Sequence, residues 1–511
     1  MPFLVSPGPI NEPTSGLSLT SQEVLERFAT RRKAFLAAGI AAGDRVFIGH
    51  GNSIAFFLDL LAVWASGACA VPLDGKLTAF ECRNQIAAAR PRFFIGTAAT
   101  GDLFHDVLEE NDVTYVESSP VETAVALEKA AVDQALAGLR DASGDALILF
   151  TSGSTGDPKG VVHTQATLRA KWAALSREID AETLQRSLCM LPTHFGHGLI
   201  CNALFPWLSG HELFLLPPFS AHSIMSLGSL LTRHKITFIS SVPAIWQLAL
   251  KTRRPSPSHL LQVFCGSAPL SRHLWQDIVA WCGGAAVRNL YGITETGSWI
   301  AASPRHCTPA DGLIGTPWGA DFKVMASASP DQGPSKAVPC RSGETGHIWV
   351  KTEALMRGYL DRPDLTAEKV ADGWFCTGDI GFFDAEGQLF LRGRERDEIN
   401  RGGLKIYPAD IESVISSFTA VRESCSFGHE DSRYGQSVAV AVVMAVDDPA
   451  ALRDLYSWTT ERLADHKVPT RWFLLKDIPK TDRGKINRAN LAQYCAAQRP
   501  LDMKQILGGA E

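Results

Sequence analysis

The 511-residue sequence lacks any C-x-x-C pair, although it contains eleven cysteines. An odd and scattered set of cysteines in a long chain indicates reduced thiols and a cytoplasmic protein rather than a disulfide framework. Without paired cysteine spacing, a structural zinc site is also not expected.

Long unbroken apolar runs are missing as well. The most hydrophobic stretch, residues 53–73, contains Asp59, Gly67 and Pro72, whereas a membrane helix needs about 20 consecutive apolar residues. The first residues lack the basic region and apolar segment of a signal peptide. We therefore expect no membrane span, and a buried helix followed by a strand in this stretch.

A basic excess is absent too, since the formal net charge is −5. Binding to nucleic acid or to an anionic membrane surface is therefore not indicated. Hydrophobic residues make up 45% and charged residues 20% of the chain, as in ordinary globular proteins. Because one hydrophobic core stops growing near about 250–300 residues, two or three lobes are expected.

Alternating helix and strand patterns fill the first half of the chain. Strands are predicted at 45–49, 68–73 and 92–95, and helices at 53–64 and 79–89; a second alternating block covers about 146–297. Such alternation indicates parallel sheets that are covered by helices.

From residue 303 onward Pro, Gly and Ser become frequent, and short strands at 347–350 and 388–391 indicate an antiparallel, barrel-like subdomain. We predict an α/β protein. Residues 1–395 form a large N-terminal domain of two helix-covered parallel-type sheets plus the β-barrel-like subdomain. Residues 396–511 form a small mobile α+β domain.

The strongest motif follows an apolar strand at 146–150. Its glycines, hydroxyls and lysine suit a polyphosphate, because glycines let backbone N–H groups approach and Lys159 supplies positive charge. The loop is not a Walker A sequence, since Lys159 is followed by Gly160. A flexible linker is the alternative reading. The candidate nucleotide-binding residues here are Thr151, Ser152, Gly153, Ser154, Thr155, Gly156 and Lys159.

This loop resembles the phosphate-binding signature of the adenylate-forming superfamily, which includes acyl-CoA synthetases, luciferases and peptide-synthetase adenylation domains. The resemblance continues in order from about residue 20 to 492 and is closest to the acyl-CoA ligases. It implies an ATP-binding, AMP-forming ligase that uses Mg²⁺ and passes an acyl group to CoA.

The segment Tyr291–Gly297 is similar to the family's adenine and metal segment. The resemblance implies that Tyr291, next to Gly292, stacks on adenine, that Thr294 hydrogen-bonds the α-phosphate and that Glu295 holds Mg²⁺, which prefers carboxylate and phosphate oxygens. Read alone, the segment could be a turn with a surface glutamate. A second similar segment, which borders the adenine and acyl pockets, consists of Gly266, Ser267 and Ala268.

Two further segments resemble the family's ribose site and hinge. Asp379, in Thr377-Gly-Asp379, matches the ribose-binding carboxylate, which can accept hydrogen bonds from both hydroxyls. Arg394 matches a second ribose contact and Arg396 the hinge, although a solvated charged face is the alternative for both arginines.

Lys485 matches the catalytic lysine, and a mobile cation there would lower the barrier between a carboxylate and the α-phosphate, both anions. Arg483 departs from the small hydroxyl residue that is common in the family. Gly402 and Gly403 resemble the loop that rotates in for thioester formation, where Gly403 lets the pantetheine arm pass; a plain hairpin turn is also compatible.

The segment 191–198 is the candidate for the acyl pocket. The family usually has a histidine after a Leu-Pro pair, but Phe195 occupies that register, so His194 or His197 is the candidate, with His194 included as catalytic. Between Glu182 and Asp277 the only acidic residue is Glu212. Without an aspartate to hold an ammonium, α-amino acid substrates are disfavoured, because a buried unpaired charge costs several kcal/mol.

Three readings remain open for the function. The leading one is a carboxylic acid–CoA ligase, and the second is a standalone enzyme that loads an acyl carrier protein in trans. A non-catalytic nucleotide-binding regulator on the same fold is the third. The acid, the choice of acceptor, the pathway and the oligomeric state are not determined by the sequence.

Overall fold

The computed structural model describes residues 5–75, 77–118, 120–121, 128–151, 159–218, 221–329, 333–401, 404–431, 435–445, 448–481 and 485–501. The strands are β1 (Ile10–Glu12), β2 (Leu17–Leu19), β3 (Arg45–Ile48), β4 (Cys69–Pro72), β5 (Phe93–Gly96), β6 (Thr114–Glu117), β7 (Asp145–Thr151), β8 (Lys159–Thr164), β9 (Arg186–Cys189), β10 (Glu212–Leu215), β11 (Phe238–Ser241), β12 (Gln262–Gly266), β13 (Ala286–Ile293), β14 (Ser298–Ala302), β15 (Leu313–Pro317), β16 (Asp321–Met325), β17 (Gly346–Lys351), β18 (Gly358–Tyr359), β19 (Val370–Ala371), β20 (Trp374–Phe383), β21 (Leu389–Arg394), β22 (Ile399–Arg401), β23 (Leu404–Ile406), β24 (Val421–Asp431), β25 (Gly435–Met444) and β26 (Arg471–Leu474).

The α-helices are α1 (Ser21–Ala37), α2 (Ile54–Ala65), α3 (Ala79–Ala89), α4 (Ala98–Glu110), α5 (Lys129–Asp141), α6 (Gln165–Glu178), α7 (Ala181–Leu184), α8 (Phe205–Leu208), α9 (Ala221–Met225), α10 (Leu227–Arg233), α11 (Pro243–Ala249), α12 (Arg272–Cys282), α13 (Pro363–Lys369), α14 (Pro408–Ser416), α15 (Pro449–Arg462) and α16 (Arg488–Ala496). Within the described residues, shorter helical segments lie at His197–Leu204 (a π-helix), Thr294–Thr296 and Glu395–Asp397 (both 3₁₀).

The first sheet has the strand order β18-β8-β7-β4-β3-β5-β6. Strands β3 to β7 pair in parallel, and β8 and β18 extend the edge in the antiparallel sense. The predicted strands and helices of residues 45–95 are confirmed. Helix α2 is buried along nearly its whole circumference, as expected of a helix that is apolar on every side.

The second sheet combines both kinds of pairing. Strands β9 to β13 pair in parallel, and from β13 onward the order continues through the antiparallel strands β14, β15, β21, β20, β17 and β16. The predicted strands near 347–350 and 388–391 are β17 and β21. Strands β7 and β8, which flank the predicted phosphate loop, lie in the first sheet, whereas β13 and β20 both lie in the second.

The C-terminal part has its own sheet, in the order β23-β22-β25-β24 with β26 on β25. Its core is separate from those of the larger sheets and is built from residues such as Ile411, Val440 and Trp472. The chain passes from β21 in the large sheet to β22 in the small one through Glu395–Asp397. The α/β fold class predicted from the sequence is thus confirmed.

All eleven cysteines are unpaired, and most are buried. No helix in the described ranges combines the length and the apolar character that a membrane span requires. Asp59, within the most hydrophobic stretch, is fully buried and accepts hydrogen bonds from Arg31 Nη1 at 2.5 Å and from the Ser118 hydroxyl at 2.6 Å. These partners offset the cost of burying a carboxylate.

Candidate active site

The two ends of the predicted phosphate loop are held together by antiparallel pairing of β7 and β8. Thr151 lies opposite Lys159 in the register, and its hydroxyl donates to the Lys159 carbonyl oxygen at 3.4 Å. The pairing therefore fixes where the chain leaves the sheet and where it returns. The predicted loop residues Ser152, Gly153, Ser154, Thr155 and Gly156 lie outside the described residues.

Tyr291, Asp379 and Arg394 form one contact cluster. The Tyr291 hydroxyl donates to Asp379 Oδ2 at 2.5 Å, and Arg394 Nε lies 2.7 Å from Asp379 Oδ1. Antiparallel pairing of β20 with β21 places Asp379 directly opposite Arg394. Burial, and then the charge of Asp379, raise the pKa of Tyr291 well above its usual value, so the phenol stays protonated and donates.

Glu295 lies four residues beyond Tyr291, in the short 3₁₀ helix after β13. The hydroxyl of Tyr359 donates to Glu295 Oε1 at 2.7 Å. Tyr359 reaches this position because β18 pairs with β8, which puts it opposite Val161 just beyond the phosphate loop. Burial, and then the charge of Glu295, raise the pKa of Tyr359. The carboxylate is thus oriented by a neutral phenol.

Two buried side chains hydrogen-bond the backbone at Thr294 and shortly after it, at Trp299. His163 Nε2 lies 2.8 Å from the Thr294 carbonyl oxygen, and because that oxygen can only accept, Nε2 carries the proton. Lys171 Nζ donates to the Trp299 carbonyl oxygen at 2.6 Å. Burial lowers the pKa of His163 to about 4 and that of Lys171 to about 8.

Gly266, Ser267 and Ala268 form the end of β12 and the turn after it. A Cβ on Gly266 would lie 2.8 Å from the Leu290 carbonyl oxygen, so only glycine lets β12 and β13 approach here. Ser267 has a positive φ of 65°, and its hydroxyl hydrogen-bonds His197 Nδ1 at 2.8 Å. On β13, a Cβ on Gly292 would lie 2.2 Å from the Ser298 carbonyl oxygen.

His197, not His194, is the histidine that is built into the centre of this region. Its Nε2 also lies 2.6 Å from the Ser240 hydroxyl, and the ring is 1% exposed. Burial, and then the charge of Lys485, lower the pKa of His197 to about 3. The neutral imidazole can hydrogen-bond both serine hydroxyls without adding a positive charge to the site.

His194 contacts a different segment. Its Nε2 lies 3.5 Å from Asp74 Oδ2, in the connection after β4. At the register where the family usually has a histidine, the ring of Phe195 lies beneath Lys485 instead, with 5.7 Å between Nζ and the ring centroid. The predicted catalytic lysine thus contacts the segment that follows the Leu191-Pro192 pair.

Arg396, predicted as the hinge, lies in the segment between β21 and β22 and is 62% exposed. Its Nε lies 3.9 Å from Asp397 Oδ1, an ion pair that contributes little in solvent. Gly402 and Gly403 lie outside the described residues. Sequence reasoning did not single out Tyr359, His163 or Ser240, since each belongs to a different motif-free segment.

Residues 6–360 of the chain match the AMP-binding enzyme family, and residues 410–485 match the AMP-binding enzyme C-terminal domain. The chain belongs to the AMP-binding enzyme family. Among its relatives is a feruloyl-CoA synthase of an Amycolatopsis species, 30% identical over 92% of this chain and 93% of that protein. Another is the fatty acid–[acyl-carrier-protein] ligase ScoC of Streptomyces coeruleorubidus, 29% identical over 94% and 93% of the two chains.

A solved structure of ATP-bound MatB from Rhodopseudomonas palustris superimposes with a TM-score of 0.81 at 25% identity, covering 97% of this chain and 96% of that one. The similarity extends over both the larger sheets and the C-terminal sheet. This AMP-binding enzyme is therefore a ligase of the adenylate-forming fold, as the motifs predicted.

Proposed function

We propose that this AMP-binding enzyme activates a carboxylic acid with ATP, releasing pyrophosphate and forming an acyl-AMP, and then transfers the acyl group to the thiol of CoA. The observation that carries the proposal is the position of Lys485. Its ammonium reaches the segment 191–198 from the C-terminal part of the chain, while the Tyr291–Asp379–Arg394 cluster and Glu295 lie on the larger sheets.

Asp379 is the group we assign to the ribose, and its surroundings fit that task. Tyr291 and Arg394 each engage a different oxygen of the carboxylate. A carboxylate oxygen can accept two hydrogen bonds, so each oxygen retains capacity for a ribose hydroxyl. We assign the Tyr291 ring to adenine, with Gly266, Ser267, Ala268 and Gly292 bordering it, and Thr151, Lys159 and Thr294 to the phosphates.

Glu295 is the proposed contact for Mg²⁺. In the parts of the chain that the structure describes, no cluster of three or more His, Cys, Asp or Glu side chains could hold a metal ion by itself. That finding fits Mg²⁺, which proteins usually hold through one or two carboxylates together with substrate phosphates. When bound, the ion would neutralise phosphate charge. Glu295 supplies an oxygen ligand that Tyr359 orients.

Lys485 is the residue we assign to the adenylation step. Attack by a carboxylate on the α-phosphate brings two anions together, and a fixed ammonium between them stabilises the charge that develops in the transition state. Because burial lowers the pKa of His197 to about 3, its ring adds no positive charge beside Lys485 at neutral pH. In-line attack by a carboxylate oxygen then forms the acyl–phosphate bond and breaks the bond between the α- and β-phosphates, which releases pyrophosphate.

For the second step we propose that residues 396–511 rotate as one domain relative to residues 1–395, about Arg396. The chain crosses between separate sheets at this point, and each part has its own core. Gly402 and Gly403 are then the residues beside which the pantetheine arm passes. CoA is the favoured thiol, because relatives such as the feruloyl-CoA synthase are named as CoA enzymes.

Loading of an acyl carrier protein is the second candidate, favoured by the 29% identity to an acyl-carrier-protein ligase over 94% of the chain.

As for the acid, α-amino acids are disfavoured. Glu212, the sole acid between Glu182 and Asp277 in the sequence, forms a short ion pair with Arg186 and accepts from Asn11 Nδ2 at 3.0 Å. Glu212, at the start of β10, therefore already has partners within the protein.

The test is mass spectrometry of the products after incubation with ATP, Mg²⁺, CoA and a pool of carboxylic acids. An acyl-CoA together with AMP and pyrophosphate is expected and would identify the acid. Acyl-AMP that accumulates without acyl-CoA would favour a carrier protein as acceptor. Absence of both products with every acid would contradict the proposed function and favour a non-catalytic nucleotide-binding role.

A further inference from the structure

The contact between Lys485 and Phe195 joins two distant parts of the chain. The ammonium lies 5.7 Å from the centre of the aromatic ring, within the range of about 6 Å over which a cation is attracted to a ring face. The phenyl ring of Phe195 has no titratable group, so the ring is neutral at every pH.

The Phe195 ring has a fixed position. It is 8% exposed and belongs to an apolar cluster with residues such as Leu191 and Trp246. The backbone around it is tied to the first sheet by Asn52, whose Nδ2 donates to the Leu191 carbonyl oxygen at 2.9 Å and whose Oδ1 accepts from the Thr193 N–H at 3.0 Å. Because its ring is packed and its neighbouring backbone is hydrogen-bonded, Phe195 offers a fixed surface for the flexible side chain of Lys485.

The neighbouring ring of His197 adds no opposing charge. The two ring centroids are 5.8 Å apart, and the hydroxyls of Ser240 and Ser267 occupy both nitrogens of the imidazole. Burial lowers the pKa of His197 to about 3, so the imidazole is neutral at physiological pH. Lys485 therefore lies over an aromatic face whose neighbouring ring is a neutral imidazole.

We infer that Phe195 is a positioning residue for Lys485, with the face of its ring holding the ammonium over the site during adenylation. The inference rests on the proposed function, in which Lys485 acts between the carboxylate and the α-phosphate. Because the proposed rotation of residues 396–511 carries Lys485 away before thioester formation, Phe195 should affect the first half-reaction and not the second.

The test compares Phe195→Leu, which keeps apolar bulk but removes the aromatic face, with Phe195→Tyr, which keeps the face. Both are measured in ATP–pyrophosphate exchange with an acid that the wild type accepts. The Leu variant should lower the exchange kcat by about 3- to 30-fold, the range expected for one cation–π contact. The Tyr variant should stay within about twofold of the wild type. Conversion of supplied acyl-AMP by the wild type's own thiol acceptor should be unchanged in both variants.

A double-mutant cycle with Lys485→Gln separates positioning from folding. In the Gln background no ammonium remains, so Phe195→Leu should cause no further loss of exchange beyond about twofold. Additive losses, or equal losses of both half-reactions, would overturn the inference while leaving the proposed function in place. A wild type that catalyses no exchange with any acid would instead overturn the proposed function, and the inference with it.

Discussion

Tyr291 and Asp379, 88 residues apart in the sequence, are joined by a 2.5 Å hydrogen bond from the phenol to Oδ2. The bond links the end of β13 to the middle of β20, which lie in the same large sheet but are not neighbours in it. The ring proposed for adenine and the carboxylate proposed for ribose are therefore fixed relative to each other before ATP arrives.

Tyr291→Phe keeps the ring and removes only the hydroxyl. Asp379, 4% exposed, would keep Arg394 but lose the donor on Oδ2, and hydrogen bonds to charged groups contribute about 1.5–3 kcal/mol. We expect the KM for ATP to rise by about tenfold or more, with a smaller effect on kcat. Steady-state kinetics at varied ATP measures this, and an unchanged KM would contradict the proposed nucleotide position.

Glu295→Gln removes the carboxylate charge but keeps the shape of the side chain. If Glu295 holds Mg²⁺, the metal concentration for half-maximal pyrophosphate exchange should rise by about tenfold or more, the usual penalty for disturbing a metal contact. The matched control is Tyr359→Phe, which keeps the carboxylate and loses only its 2.7 Å donor. It should shift the metal dependence in the same direction but less. Identical Mg²⁺ curves for all three proteins would show that the metal is held elsewhere.

Lys485→Ala should lower adenylation by about 10²–10³-fold, as loss of a transition-state charge contact does. Conversion of supplied acyl-AMP to the thioester should be retained, because in the proposed rotation another face of the C-terminal domain serves that step. Lys480→Ala is the matched control, since Lys480 lies in the same C-terminal region and pairs with Glu423 at 2.8 Å. That variant should behave like the wild type. Equal loss of both steps in Lys485→Ala would contradict the rotation.

The buried histidines make a prediction about pH and stability. His163 and His197 have native pKa values lowered to about 4 and about 3 by burial, whereas both titrate near 6.5 when unfolded. The unfolded chain therefore binds more protons below about pH 6.5, and stability falls with decreasing pH by about 1.4 kcal/mol per pH unit for each ring. The loss continues until the pH reaches the native pKa.

Urea unfolding of the wild type and of His197→Asn at pH 7 and pH 5 tests this. Asparagine can still hydrogen-bond the hydroxyls of Ser240 and Ser267 but does not titrate. We expect the variant to lose about 2 kcal/mol less than the wild type between these two pH values. Parallel losses in the two proteins would mean that His197 accepts a proton in the native state.

The candidate site residues could be named from the sequence because each lies in a short local motif that resembles one of the family's segments. Asp379 follows a Thr-Gly pair, Glu295 follows Tyr291 at a fixed spacing, and Lys485 lies in a short basic loop. Their partners were not accessible in this way. Tyr359 reaches Glu295 only through the pairing of β18 with β8, and no local pattern specifies which strand adds to an edge.

The pocket histidine shows the same division. Spacing after the Leu-Pro pair left His194 and His197 as alternatives, because both lie near the expected register. Tertiary packing separates them. His197 is the first residue of the buried π-helix and its ring hydrogen-bonds the hydroxyls of Ser240 and Ser267, whereas His194 lies near Asp74. The partners Asp74, Ser240 and Ser267 come from three separate segments of the chain, so local spacing could not decide between the two rings.

The sequence by itself determined the α/β class, the adenylate-forming family and the order of the nucleotide-binding segments, since hydrophobic periodicity and short motifs are local properties of the chain. Only the tertiary structure decided that Tyr291 meets Asp379 and that Lys485 lies over Phe195. These contacts join residues that are far apart in sequence, and long-range strand order and the placement of the C-terminal sheet bring them together.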